Sequence, residues 1–177
     1  MLSELSAEPT LQEAVPVLAR LARERPFWDS YILPLLEEEP ERDKDWHMGY
    51  CCDGKNGSYS LQVFVWPAGS KTQIHDHCCW GAFCCVIRSL FEERYERLDG
   101  YDLQANRARL RKVWKRLWKR GDGISILLPF EGGIHRVGNP TESKAISLHL
   151  YGPQIGDVDG RDYDPSRDYV CDRRETR

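Results

Sequence analysis

The sequence predicts an all-β fold, a barrel or sandwich of short strands, with helices at its N-terminal end. Between residues 45 and 160, short segments rich in Val, Ile, Phe, Tyr and Trp follow one another. Gly, Pro, Asn or Asp punctuate most of the joins, as expected where strands reverse over tight turns. The first forty residues instead space their apolar side chains as a helix does. At 177 residues, 41% of them hydrophobic, the chain can bury one core and is short for two. A single domain over 1–177 is therefore expected, with a helical extension (1–44), a barrel (45–160) and a C-terminal tail (161–177).

The elements follow in order. "TLQEAVPVLARLARE" places Leu11, Val15, Leu18 and Leu21 near helical spacing behind a Thr10 cap, with Pro16 as a potential break. "FWDSYILPLLEEEPE" reads as a second short helix ending at Pro40. Strands are expected at 59–66, 73–80, 82–90, 91–98, 124–129, 133–139 and 145–152. The stretch "RARLRKVWKRLWKR" (107–120) resists this pattern, because Leu110, Val113, Trp114, Leu117 and Trp118 lie at helical spacing with a cationic opposite face. A bent or bulged strand pair, a helix and a nucleic-acid-binding patch all stay open for it. Its position between two groups of strands favours the strand pair. The tail "RDYDPSRDYVCDRRETR" shows no usable periodicity and is expected to wrap the surface.

Composition excludes several classes. A net charge of -3 gives no global field for nucleic acid or an anionic membrane. No apolar run approaches the ~20 residues that a spanning helix needs, and "MLSELSAEPT" lacks a signal-peptide pattern. A soluble, cytoplasmic chain is expected, a monomer or weak homo-oligomer without nucleic-acid or membrane partners. The seven cysteines include the adjacent pairs Cys51-Cys52, Cys78-Cys79 and Cys84-Cys85, unlike a secreted disulfide framework. Neighbours in a strand point to opposite faces, so each pair turns one sulfur inward, where a thiol packs as a small hydrophobe. No CxxC zinc spacing is present.

The histidines carry the chemistry. Only five occur, and "QIHDHCCWG" sets His75 and His77 two apart. On a strand both rings project from one face, side by side, while Asp76 turns away. One metal ion can accept both imidazoles. A third can come from His135 in "PFEGGIHRVGN", where two glycines permit a tight turn that aims the side chain inward. An HxH alone is weak, since structural or surface pairs are common; the two segments together, separated by strands, are far more specific.

These segments resemble the two motifs of the cupin superfamily, and so imply a double-stranded β-helix (jelly-roll barrel). Gly69, His75 and His77 match the first motif, but Gly81 and Ala82 stand where its glutamate ligand belongs. Gly123, Pro129, His135 and Asn139 match the second, with one extra residue between Pro129 and His135. Three neutral imidazoles without a carboxylate suit Fe(II) or Zn(II) and leave coordination positions open. A three-histidine cupin of this kind is similar to the cysteine dioxygenase family of thiol dioxygenases, through "VFVWPAGSKTQIHDH" and "ISLHLYGP" and over roughly residues 45 to 160. The resemblance implies a relay of Ser147, His149 and Tyr151 beside the metal. Positions i, i+2 and i+4 of one strand can form such a hydrogen-bonded chain.

The family implies an Fe(II) enzyme that adds both atoms of O2 to the sulfur of a small thiol, such as cysteine or 3-mercaptopropionate, giving a sulfinate. Fe(II) is the expected cofactor, held by His75, His77 and His135, with the thiol and O2 as small-molecule partners. A non-catalytic metal- or ligand-binding cupin and a Zn(II)- or Mn(II)-dependent isomerase or hydrolase are the alternatives. Animal cysteine dioxygenases carry a cysteine just after the HxH that joins covalently to the relay tyrosine. Gly81 stands nearest that position here, as in bacterial mercaptopropionate dioxygenases, so no such crosslink is expected. The family also meets the substrate carboxylate with an arginine or glutamine upstream of the HxH, or with an arginine after the relay. His47 in "DWHMGYC" and Arg161 in "GDVDGRDYD" are the candidates for that role.

Overall fold

The computed structural model describes residues 5–6, 9–38, 45–99, 106–152 and 159–172. Helix α1 spans Leu11–Leu21 and opens on the Thr10 cap: its side chain accepts from the Glu13 N–H while the Glu13 carboxylate accepts from the Thr10 N–H. Pro16 does not end the helix. An interior proline costs about 3 kcal/mol. Burying Val17, Leu18 and Leu21, none more than 4% exposed, returns about 1.5–3 kcal/mol each, so packing wins. The second expected helix is split into α2 (Arg25–Phe27), a π-helical turn (Trp28–Ile32) and α3 (Leu33–Glu37). The wide turn, closed by Leu33 N–H donating to the Trp28 carbonyl, directly precedes Pro34, whose ring would clash with the Ser30 carbonyl in a continuous α-helix. The expected end at Pro40 lies outside the described residues.

Among the described residues, eleven strands form two antiparallel sheets. The strands are β1 (His47–Asp53), β2 (Ser60–Trp66), β3 (Ile74–His77), β4 (Trp80–Ile87), β5 (Ser89–Arg97), β6 (Leu110–Lys119), β7 (Ser125–Leu127), β8 (His135–Gly138), β9 (Ala145–Gly152), β10 (Asp159–Asp164) and β11 (Tyr169–Asp172). One sheet runs β1-β2-β9-β4-β7 and the other β11-β10-β3-β8-β5-β6. Together they make the double-stranded β-helix. All eight residues of β9 are buried, and alternation explains why. Ile146, Leu148 and Leu150 join the core under α1 and α3, while Ala145 and Tyr151 join the barrel interior. The cysteine pair on β4 divides in the same way: Cys84 packs under the helices and Cys85 inside the barrel. Burial pushes both thiols up to about 12, so they remain protonated hydrophobes.

For the basic stretch the strand reading holds, and one expectation is corrected. The ambiguous basic stretch is a strand, β6, paired with β5 through a bulge at Arg94/Tyr95. Acidic residues of β5 meet three of its charges: Glu93 pairs with Lys112 and Lys115, and Glu96 with Arg111. The C-terminal region is not a surface wrap over 161–164 and 169–172; residues 173–177 lie outside the described residues. Strand β10 pairs with β3 and β11 with β10, which extends the six-stranded sheet.

Candidate metal centre

Strands β3 and β8 are neighbours, and His75 is in direct register with His135. His77 follows two residues along the same face. Ring nitrogens of the three histidines lie within 4.8 Å of one another, and all three side chains are buried. His77 Nε2 and His135 Nε2 approach to 3.2 Å. His135 reaches this point from a 3-10 turn, Phe130–Gly133. A Cβ on Gly133 would collide with the Leu128 carbonyl oxygen, so only glycine fits that turn.

The nitrogens are prepared for a cation. His75 Nδ1 lies 3.0 Å from the Gln73 carbonyl, and His135 Nδ1 lies 3.1 Å from Glu92 Oε1. Both acceptors place the proton on Nδ1, leaving a lone pair on each Nε2. Burial, with the nearby His75, Arg94 and His149, holds His135 well below the usual imidazole range. Neutral imidazoles with converging lone pairs fit a divalent transition metal. No carboxylate joins the cluster among the described residues. Glu131 is exposed, and Asp76 accepts from the Arg161 N–H at 2.6 Å and the Tyr163 hydroxyl at 2.7 Å.

Beside the histidines lies a hydrogen-bonded chain. Ser147 Oγ is 2.7 Å from His149 Nε2, and His149 Nδ1 is 2.9 Å from the Tyr151 hydroxyl. Sequence reasoning missed its first member: Trp66 Nε1 donates to Ser147 Oγ at 2.8 Å. An indole can only donate, so it favours the direction Trp66→Ser147→His149→Tyr151. Burial lowers His149 to about 3, so it stays neutral, and Phe83 stacks on it at 5.0 Å. The Tyr151 ring lies 5.1 Å from that of His77. Gly81 is in register with Tyr151, and a Cβ there would come within 2.8 Å of the ring. The position nearest the family's cysteine–tyrosine link thus carries no sulfur here.

The two substrate-binding candidates are placed differently. His47 pairs with Val65, which belongs to the helix-covered core, so the register does not bring it to the other histidines. Arg161 is buried on β10, but Asp162 is the residue opposite His75. The Arg161 backbone N–H donates to Asp76, which also accepts from the Tyr163 hydroxyl; burial and Asp76 push that hydroxyl up, partly offset by the charges of Arg161 and Arg97. The inner face of β2 supplies a residue that the sequence did not single out. Gln62 is in register with His149, is 9% exposed and donates to Ser60 Oγ at 2.8 Å.

A family model described as cysteine dioxygenase type I matches residues 43–164. Among solved structures, the chain is similar to Bacillus subtilis oxalate decarboxylase, at 16% identity over 70% of this chain and with a TM-score of 0.46; it spans 30% of that protein. It is also similar to a Klebsiella pneumoniae protein with a double-stranded β-helix domain (15% identity, 73% of this chain and 84% of that one, TM-score 0.47). A Thermus thermophilus protein matches at 15% identity, over 70% of this chain and 95% of that one, with a TM-score of 0.46.

Proposed function

The chain belongs to the cysteine dioxygenase type I family, and from this premise we propose that it is an Fe(II)-dependent thiol dioxygenase that converts a small thiol, such as cysteine or 3-mercaptopropionate, and O2 to a sulfinate. The observation that carries the reading is the pairing of two features: three buried imidazoles with no carboxylate among them, and the Ser147–His149–Tyr151 chain beside them. His75, His77 and His135 would hold the iron, which when bound stabilises the thiolate and mediates the redox exchange between sulfur and O2.

The chain's own residues supply the rest. Burial keeps His135 and His149 neutral, so one is available as a ligand and the other as a relay. Trp66, Ser147 and His149 orient the Tyr151 hydroxyl, which donates a hydrogen bond to a substrate polar atom. A carboxylate on the thiol would need a donor, supplied by Arg161 or by Gln62 on the inner face of β2. Both oxygen atoms end on sulfur, so the reaction balances without an external reductant.

Protein loaded with Fe(II) under anaerobic conditions should consume one O2 per sulfinate formed, detected by mass, when offered a panel of small thiols. Loading with Zn(II) should abolish uptake. Tight iron binding with no uptake for any thiol would instead support a non-catalytic module. Turnover with Zn(II) or Mn(II) and no O2 consumption would support an isomerase or hydrolase.

A further inference from the structure

A fully buried carboxylate stands directly behind one of the three histidines. Glu92, on β5, is 0% exposed. Its Oε1 accepts from Arg94 Nε at 2.6 Å and faces His135 Nδ1 at 3.1 Å. Its Oε2 accepts from Trp118 Nε1 at 2.8 Å and Ser125 Oγ at 2.7 Å. These four donors match the roughly four lone-pair positions of an ionised carboxylate. They come from β5, β6, β7 and β8, and β7 belongs to the sheet opposite the other three. The carboxylate therefore cannot swing away from His135 without breaking contacts to both sheets.

From this geometry we infer that Glu92 is a positioning residue for the metal centre: it holds the His135 proton on Nδ1, aims Nε2 at the point shared with His77 and makes His135 a stronger donor than His75. The contrast with His75 supports this, because the Nδ1 of that ring meets a neutral acceptor, the Gln73 carbonyl. A charged acceptor behind an imidazole raises its basicity toward a metal more than a neutral one does. The carboxylate that this chain lacks among its ligands is thus kept one layer back. Arg94 shares Oε1 and bonds onward to Ser125 Oγ at 3.0 Å and the Ile126 carbonyl at 2.5 Å, which fixes the carboxylate from its outer side.

The inference rests on His135 being a metal ligand, and its test separates the two. Zn(II) and Co(II) affinities would be measured by chelator competition for the wild type, Glu92→Gln, Trp118→Phe and His135→Ala. Glu92→Gln should weaken binding by about 10–100-fold. Trp118→Phe, which removes one donor from the other oxygen, should lower the Tm with less than about a threefold change in affinity. In the Zn(II)-loaded wild type, 15N-edited NMR of the histidine rings should show His135 protonated at Nδ1 and metallated at Nε2. This readout needs no variant, and so stands even if Glu92→Gln fails to fold. Wild-type affinity in Glu92→Gln with weak binding in His135→Ala, or a proton on Nε2 of His135, overturns the role of Glu92 alone. Wild-type affinity in His135→Ala overturns the metal-site reading and this inference with it.

Discussion

Gln62 and Ser60 share the inner face of the barrel with His149 and Tyr151, because β2 and β9 pair in register over their whole length. A carboxamide there can donate to a substrate carboxylate without carrying a buried charge of its own, whereas Arg161 is bound through its backbone N–H to Asp76 and is not the residue opposite His75. The two variants should therefore separate. If Gln62 meets the carboxylate, Gln62→Ala should raise KM for a carboxylate thiol about tenfold, the scale of ~1.4 kcal/mol for a lost hydrogen bond to a charged group. Its KM for the matching thiol without a carboxylate should be unchanged. Arg161→Ala should then act mainly on Tm; the reverse pattern in steady-state kinetics would return the role to Arg161. What was legible at this scale came from local spacing and, for Ser147, His149 and Tyr151, from the family resemblance. His75 with His77, and Ser147 with His149 and Tyr151, are two-residue steps along one strand, and such steps fix a shared face. Gln62 and Glu92 have meaning only through the strands that become their neighbours. In "SLFEERYER" Glu92 reads as one more charge in an exposed alternation until β5 is laid beside β8.

Within β5 itself, alternation sends Glu92 and Glu93 in opposite directions, and the second has a different task. Glu93 accepts from Lys112 Nζ at 2.8 Å, Arg136 Nε at 2.8 Å and the Tyr95 hydroxyl at 2.9 Å, which joins β5 to β6 and β8. Its burial alone would raise its pKa, but these donors outweigh burial and hold it at about 2. Because the folded value is depressed, the group contributes stability above its ordinary value near 4.5, and that contribution is lost as pH falls toward about 2. Its size is on the order of 1–3 kcal/mol, given ~1.4 kcal/mol per pH unit and screening at the half-exposed Lys112. Acid unfolding followed by circular dichroism should show Glu93→Gln less stable than wild type at pH 7. The difference should close between pH 4.5 and 2. Parallel curves across that range would remove the network from the stability of the hairpin. The same contacts explain why β6 was hard to read. Its apolar positions fit a helix, and only the acidic residues of β5 across the ladder make a strand the better partner for its cations.

At the scale of the molecule, the helices cover the outer face of the five-stranded sheet, and among the described residues no helix is long and apolar enough to cross a membrane. The six-stranded sheet ends on β6, where Val113 is 55% exposed, Trp114 40% and Leu117 44%. A ten-residue edge carrying such side chains is a template for another chain's backbone. Yet the strand also carries Arg111, Lys112, Lys115, Arg116 and Lys119, so a second copy zipping onto it would bring like charges within reach along the seam. That repulsion is a matter of solution conditions as much as of sequence. Sedimentation velocity should show the wild type unchanged with concentration at 0.1 M salt, where screening extends ~10 Å, and self-associating at 1 M, where it falls to ~3 Å. Arg116→Thr with Lys119→Thr should associate already at low salt, and identical sedimentation of the two proteins would mean that the edge is guarded by its shape instead. If those curves separate as expected, the cationic strand is a colloidal safeguard: the protein should concentrate freely at low salt while the sheet's open side stays solvated, and desalting rather than salting would be the way to store it.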